Sequence, residues 1–213
     1  MACTVFTGGC NFRCPFCHNA SLVTELNSDE AVDEEKFFSF LKKRQGILDG
    51  VCVTGGEPLL NKDLPDFLCK IKDLGYKVKL DTNGSFPDTL KALIKDKLVD
   101  FVAMDIKNSK AKYAQTAGIQ NLDLSKIEES VDFLRSGAAE SEVRTTLVRE
   151  LHSEKDMEDI SEWIEGAERY FIQAFVDSGN LIGSGLSAYT KEESEKLLAV
   201  VRRKVPNAEL RGI

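Results

Sequence analysis

Short β-rich runs alternate with amphipathic helical stretches from one end of the chain to the other, and this alternation restricts the fold more than any other feature. Ala2 to Thr7, Gly50 to Thr54, Tyr76 to Asp81, Val99 to Asp105, Glu142 to Val148 and Arg169 to Phe175 read as strands. Between them Leu64, Phe67, Leu68, Ile71 and Leu74 keep the i, i+3, i+4, i+7 spacing of one helix face, and Ile127, Val131 and Leu134 do likewise. Phe37, Phe40 and Leu41, then Leu90, Leu93 and Ile94, then Met157, Ile160 and Ile164, then Leu197, Leu198 and Val201 supply further stripes, all expected to pack as core. Strand and helix in series require crossovers, which are right-handed, so a parallel sheet is expected. Two α/β architectures satisfy the pattern, a curved partial barrel and an open doubly wound sheet.

With 213 residues and no internal linker, the chain is expected to form one domain over 1–213. A net charge of -7 argues against a nucleic-acid partner, because phosphate contact relies on clustered Lys and Arg. No apolar run approaches the roughly 20 residues that cross a bilayer, and the N-terminus lacks a signal-peptide layout, so neither a membrane nor secretion is expected. A cytoplasmic location follows as the expectation. There the six cysteines point to metal binding or catalysis rather than disulfides. Gly- and Ser-rich Ser178 to Ser187 is expected to be a mobile loop.

Cys10-Asn-Phe-Arg-Cys14-Pro-Phe-Cys17 places three thiols in a loop directly after the first strand. Thiolates suit iron-sulfur clusters or zinc, and three of them can hold a 4Fe-4S cubane while one iron stays open to a ligand. Gly8, Gly9 and Pro15 suit the sharp turns of such a loop. The competing assignment is structural zinc, which wants a fourth protein ligand. His18 is the nearest candidate, but it adjoins Cys17 and folds back on the same metal with difficulty. Cys3, Cys52 and Cys69 lie beside apolar neighbours and are expected to be buried, inert thiols.

Further polar groups fall at strand ends. Gly55 and Gly56 let backbone approach a ligand, and Glu57 offers a carboxylate for a cationic amine, although the same residues also suit an ordinary strand-to-helix turn. Asp81, Thr82 and Asn83, before Gly84, suit a ribose or a cation, or form an Asx-type turn. Lys107 reads as a ligand contact or a solvated charge. Arg144 matches a carboxylate, and a structural ion pair competes with that role. His152 lies among acidic residues and is expected at the surface.

CxxxCxxC after the first strand, followed by Gly55-Gly56-Glu57-Pro58 after the second, resembles the radical S-adenosylmethionine superfamily. The resemblance covers nearly the whole chain and implies a partial (β/α)6 barrel. It also implies a 4Fe-4S cluster on Cys10, Cys14 and Cys17, with S-adenosylmethionine on its open iron. In such barrels functional groups gather at the C-terminal strand ends. By resemblance Gly55, Gly56 and Glu57 meet the methionyl amino group, and Asp81, Asp105 and Lys107 help hold the head group. The Cys-His-Asn19, DTNG and D-hydrophobic-K segments, with Glu209 to Gly212, are similar to those of glycyl-radical enzyme activases, above all the activases of anaerobic ribonucleoside-triphosphate reductase. That likeness implies a glycyl-radical enzyme as partner and a low-potential donor such as flavodoxin or ferredoxin. It also implies a lead segment containing Asp-Tyr-Pro-Gly ahead of the first strand, so that Met1 reads as an internal methionine chosen as a start. A formate-lyase-type activase, a 7-carboxy-7-deazaguanine synthase-like catalyst and a non-catalytic iron-sulfur or zinc protein remain as alternatives.

One cluster per chain is expected, because no second close set of cysteines exists. Anaerobic reconstitution should therefore load about four irons, and Cys10→Ala, Cys14→Ala or Cys17→Ala should each abolish the cluster while Cys52→Ala and Cys69→Ala retain it. Iron and sulfide analysis decides; full retention after loss of a loop cysteine refutes the assignment.

Overall fold

The protein is described by a computed structural model over residues 1–26 and 31–212. Strands β1 (Ala2–Thr7), β2 (Gly50–Gly55), β3 (Lys77–Thr82), β4 (Phe101–Asp105), β5 (Glu140–Leu147), β6 (Tyr170–Ala174) and β7 (Ala208–Arg211) form one sheet. They follow one another in sequence order, and every neighbouring pair is parallel. That order decides between the two architectures. A doubly wound sheet reverses its order at a switch point, whereas unbroken order with right-handed crossovers sends the helices to one face and curls the sheet into an open partial barrel.

The first six strands coincide with the expected runs to within two residues at each end. β7 was not among them. Four residues are too few for a pattern to register, and the strand exists because Ala208 to Arg211 pair with Tyr170 to Gln173.

The helices are α1 (Ala20–Thr24), α2 (Glu34–Lys43), α3 (Leu64–Asp73), α4 (Pro87–Lys95), α5 (Tyr113–Ala117), α6 (Leu124–Arg135), α7 (Glu154–Trp163) and α8 (Lys191–Val201). Several starts are encoded locally. Asp33 caps α2, and capping boxes of Ser153 with Asp156 and Thr190 with Glu193 open α7 and α8. Val51, Val53, Val78, Leu80, Val102, Met104 and Ile172 point from the strands toward the helices, where Leu68, Ile71, Leu90, Ile127, Ile160 and Val201 bury them. Because strand side chains alternate, the residues between them face the hollow of the barrel. Cys52, Lys79, Asp81, Asp105, Glu142 and Arg144 occupy those positions.

Several expectations are corrected. Phe40 is 40% exposed, with the Arg44 guanidinium over its ring, while Phe37 and Phe38 pack on Phe67. Cys69 is exposed, because the stripe Leu64, Leu68 and Ile71 turns it away from the sheet; Cys3 and Cys52 are half-buried. Ser178 to Ser187 carries no regular structure, yet it is tethered. Gly183 N donates to Pro15 O at 2.8 Å, and Arg149 N donates to Ser187 O at 3.0 Å. Among the described residues no helix is long and apolar enough to cross a membrane.

Leu80 is fully buried at the centre of this core. Leu80→Ala should lower the unfolding free energy by about 2–5 kcal/mol through lost transfer energy and the cavity left behind. Urea unfolding of the metal-free protein measures this, and a loss below about 1 kcal/mol would contradict the packing described.

Candidate active site

The parallel register brings the C-terminal ends of the strands to one rim. A cavity of about 210 Å³ opens there, lined among others by Cys10, Cys14 and Cys17, Gly55 and Gly56, Asp81, Thr82 and Asn83, Asp105 and Lys107, and Arg144. All the expected site residues except Glu57 therefore share one cavity. Thr146 of β5, Gln173 of β6 and His18 complete its far side.

The cysteine loop is anchored by buried Phe12 and Phe16, and Phe12 meets Tyr113 edge-on. Its backbone is tied on several sides. Gly9 N donates to Leu22 O, Arg13 N to Ala117 O, and the Asn19 amide to Gly55 O at 3.1 Å. Asn11 closes a ring: its amide donates to Ser85 Oγ at 2.8 Å, Ser85 Oγ donates to Asn83 Oδ1 at 2.6 Å, and Asn83 Nδ2 donates to Asn11 Oδ1 at 2.9 Å.

Gly55 and Gly56 owe their identity to this loop. Gly55 has φ 120°, and a Cβ on Gly56 would lie 1.9 Å from Gly9 O. The close approach inferred from the glycines is thus made by the cysteine loop's own backbone. Gly56 N donates to Thr7 O and Glu57 N to Gly9 O, stitching β1 to β2 beyond the sheet.

Glu57 turns away from the cavity and is fully buried. Leu59 N and Thr82 Oγ1 donate to Oε1 at 3.1 and 2.8 Å, and Asn83 N donates to Oε2 at 2.7 Å. Off the cavity wall, unlike Asp81 and Asp105, and with both oxygens engaged by neutral donors of the protein, Glu57 serves as a strut rather than a partner for a ligand amine. Burial pushes its carboxyl up to about 7, against the pull of these donors.

Arg144 supplies the electrostatic centre. Its Nε donates to Asp105 Oδ1 at 2.8 Å and its NH1 to Asp81 Oδ2 at 3.2 Å, while Lys107 Nζ donates to Asp105 Oδ2 at 3.1 Å. The ion-pair role of Arg144 is observed, and the residue lines the cavity as well. Burial favours a neutral Asp105, but Arg144 and Lys107 overcome it and hold the carboxyl at about 2. Lys107 is only 16% exposed; burial disfavours its charge, yet Asp105 and Cys14 keep it a cation.

Among the described residues no three His, Cys, Asp or Glu side chains converge closely enough for one metal ion. A cubane needs no such convergence, because it holds its three thiolates on separate irons. Burial raises the Cys10 thiol and pushes Cys14 up to about 12, while the Lys107 charge favours the Cys14 thiolate that iron requires. All the cysteines are free thiols. The donor set fits an iron-sulfur cluster.

Sequence reasoning missed His152, which is 1% exposed instead of at the surface. It ends the β5–α7 turn, one residue ahead of the Ser153 cap, and that rim position was the available signal. Asn11, Ser85 and Tyr113 were also missed: Asn11 meets Ser85 and Asn83 at separations of 74 and 72 residues, and Tyr113 packs on Phe12 and Trp163 from distant parts of the chain.

An open parallel half-barrel with three thiols and a lattice of carboxylates and cations facing one rim cavity defines an iron-sulfur α/β enzyme scaffold. A profile described as the Radical SAM superfamily matches residues 4–167. The chain belongs to that superfamily, whose members use a 4Fe-4S cluster and S-adenosylmethionine. It is 34% identical over 176 residues, 80% of this chain and 71% of the relative, to a putative glycyl-radical enzyme activating enzyme of Methanocaldococcus jannaschii. It is also 32% identical over 130 residues, 59% of this chain and 40% of the relative, to a probable GTP 3',8-cyclase of Sulfolobus acidocaldarius. SuiB of Streptococcus suis, solved bound to S-adenosylmethionine, shares the fold with a TM-score of 0.77 at 14% identity, over 99% of this chain and 50% of SuiB.

Glu57→Ala should cost at least about 3 kcal/mol, because three buried donors lose their acceptor. The sign of the pH effect follows from the raised carboxyl. The native state holds this proton up to about pH 7, the unfolded chain releases it near 4.5, so this contribution to stability is full below 4.5 and lost as pH rises through 7. Denaturant titrations of the metal-free protein between pH 4.5 and 8 should show that decline in wild type and a flatter profile in Glu57→Gln. Identical slopes would refute the assignment.

Proposed function

We propose that the protein is a glycyl-radical enzyme activase acting on an anaerobic ribonucleoside-triphosphate reductase in the cytoplasm, with reduction by flavodoxin or ferredoxin. The observation that carries this reading is that the three loop thiols and the Asp81, Asp105, Lys107 and Arg144 lattice line one cavity. When bound, the cluster and S-adenosylmethionine supply a 5′-deoxyadenosyl radical able to take a hydrogen atom from a glycine Cα.

The chain's own residues hold and orient. Cys10, Cys14 and Cys17 ligate three irons. Lys107 and Arg144 present cations to the methionyl carboxylate, and Asp81 and Asp105 present carboxylates to the methionyl amine. Thr82 and Asn83 keep the β3 turn in register through Glu57. Gly55 and Gly56 leave the cavity wall free of side chains. Likeness to the Methanocaldococcus protein supports the activase reading. Likeness to the cyclase supports a second one, in which a small molecule takes the place of the glycyl loop.

The deciding experiment mixes anaerobically reconstituted, reduced protein with S-adenosylmethionine and the candidate reductase. A glycine-centred doublet in the electron paramagnetic resonance spectrum and an equivalent of 5′-deoxyadenosine are expected. A doublet with a formate-lyase-type partner alone moves the activity to that partner. No doublet with either, together with turnover of GTP or another small molecule, favours the second reading.

A further inference from the structure

Three consecutive backbone carbonyls at the end of β4 are each held by a side chain from a different part of the chain. Asp105 O accepts from Tyr113 Oη at 3.3 Å, and Ile106 O accepts from Thr145 Oγ1 at 2.9 Å. Lys107 O lies 2.8 Å from His152 Nε2. The next residue is braced too, since Asn108 Nδ2 donates to Leu151 O and to Thr116 Oγ1, both at 2.9 Å. This segment carries Asp105 and Lys107, two of the charges lining the rim cavity.

The Lys107 contact assigns the His152 ring proton. Lys107 O can only accept, so Nε2 at 2.8 Å must carry the proton, while Nδ1, 3.1 Å from Val148 N and 3.2 Å from Val148 O, accepts from the Val148 N–H in the neutral ring. The Nε2 proton is given to Lys107 O. The ring is fully enclosed, and burial holds its basicity below the ordinary imidazole range, which keeps it the neutral donor this arrangement needs. His152 is itself fixed, because its N donates to Val148 O at 2.9 Å and Tyr189 Oη donates to its carbonyl. It does not line the cavity.

We infer that His152 is a positioning residue: by fixing the Lys107 carbonyl it aims the Lys107 ammonium and the Asp105 carboxylate at the α-amino-acid head group of the bound sulfonium ligand. The inference rests on the proposed assignment of the cavity to S-adenosylmethionine. A backbone carbonyl released from its donor lets the loop sample other geometries, and only some of these present the ammonium to the cavity. The effect should appear as lost affinity, with cluster content unchanged.

The test is calorimetry of S-adenosylmethionine binding to the reconstituted holoprotein, with iron content and thermal unfolding measured alongside. His152→Ala should bind about tenfold more weakly at unchanged iron, the order expected from one lost hydrogen bond. His152→Gln extends an amide donor to the Nε2 position and should restore affinity to within about threefold of wild type. His152→Asn satisfies Val148 N but does not reach Lys107 O, and should behave like Ala. Combined with Lys107→Ala, His152→Ala should add less than its full loss, because one of the two side chains it aims is already gone. Wild-type affinity in His152→Ala beside a weakened Lys107→Ala overturns the inference alone, and so does an additive double variant. Unchanged affinity in Lys107→Ala overturns the cavity assignment and the inference with it. Where His152→Ala does not fold, Gln against Asn decides, and equal affinities for the two overturn it.

Discussion

The rim is organised around one buried carboxylate. Glu57 accepts from its own turn and from the turn after β3, while its backbone N–H reaches the turn after β1. Three loops that approach one another only at the end of the sheet are thereby held as a unit. Burying a carboxylate is expensive unless donors surround it, and here Thr82, Asn83 and Leu59 supply them. The fit also explains the glycines, because Gly56 must pass against Gly9 O where no Cβ has room. The Asn11, Asn83 and Ser85 ring repeats the tie from the other side of the cysteine loop.

Parallel register turns the inner face of the sheet into an ordered set of charges. Asp105 stands opposite Arg144 on the neighbouring strand. The lattice continues away from the rim through Lys79, which pairs with Asp81 and lies 3.9 Å from Glu142. Arg211 of β7 then holds Glu142 with two nitrogens at 3.1 and 3.0 Å, its guanidinium over the Phe171 ring. The Arg144 pairs at the buried end of this lattice contribute little net stability because desolvation offsets their attraction, but removing one partner strands the other. Their effect is to fix positions. Arg144 is satisfied by two carboxylates and Lys107 by one, and both stay charged beside the thiols. The seventh strand thus reaches the site through a chain of side chains rather than by direct contact.

Much of this was legible in the order of residues. Alternation with a period of two in Val51, Val53, Val78 and Leu80, and with a helical period in Leu64, Leu68 and Ile71, determined the strands and helices, because those periods follow from backbone geometry alone. CxxxCxxC and GGEP lie within short stretches, so their chemistry was visible before any folding. What only the tertiary structure decided was the architecture and the partners. A partial barrel and a doubly wound sheet have the same local pattern, and they differ in which strands become neighbours. Glu57 as a strut, Arg144 as an ion-pair centre and His152 as a buried donor all depend on atoms 25 to 63 positions away in the chain. Such contacts leave no periodic trace in sequence, because they arise where separate strands end side by side.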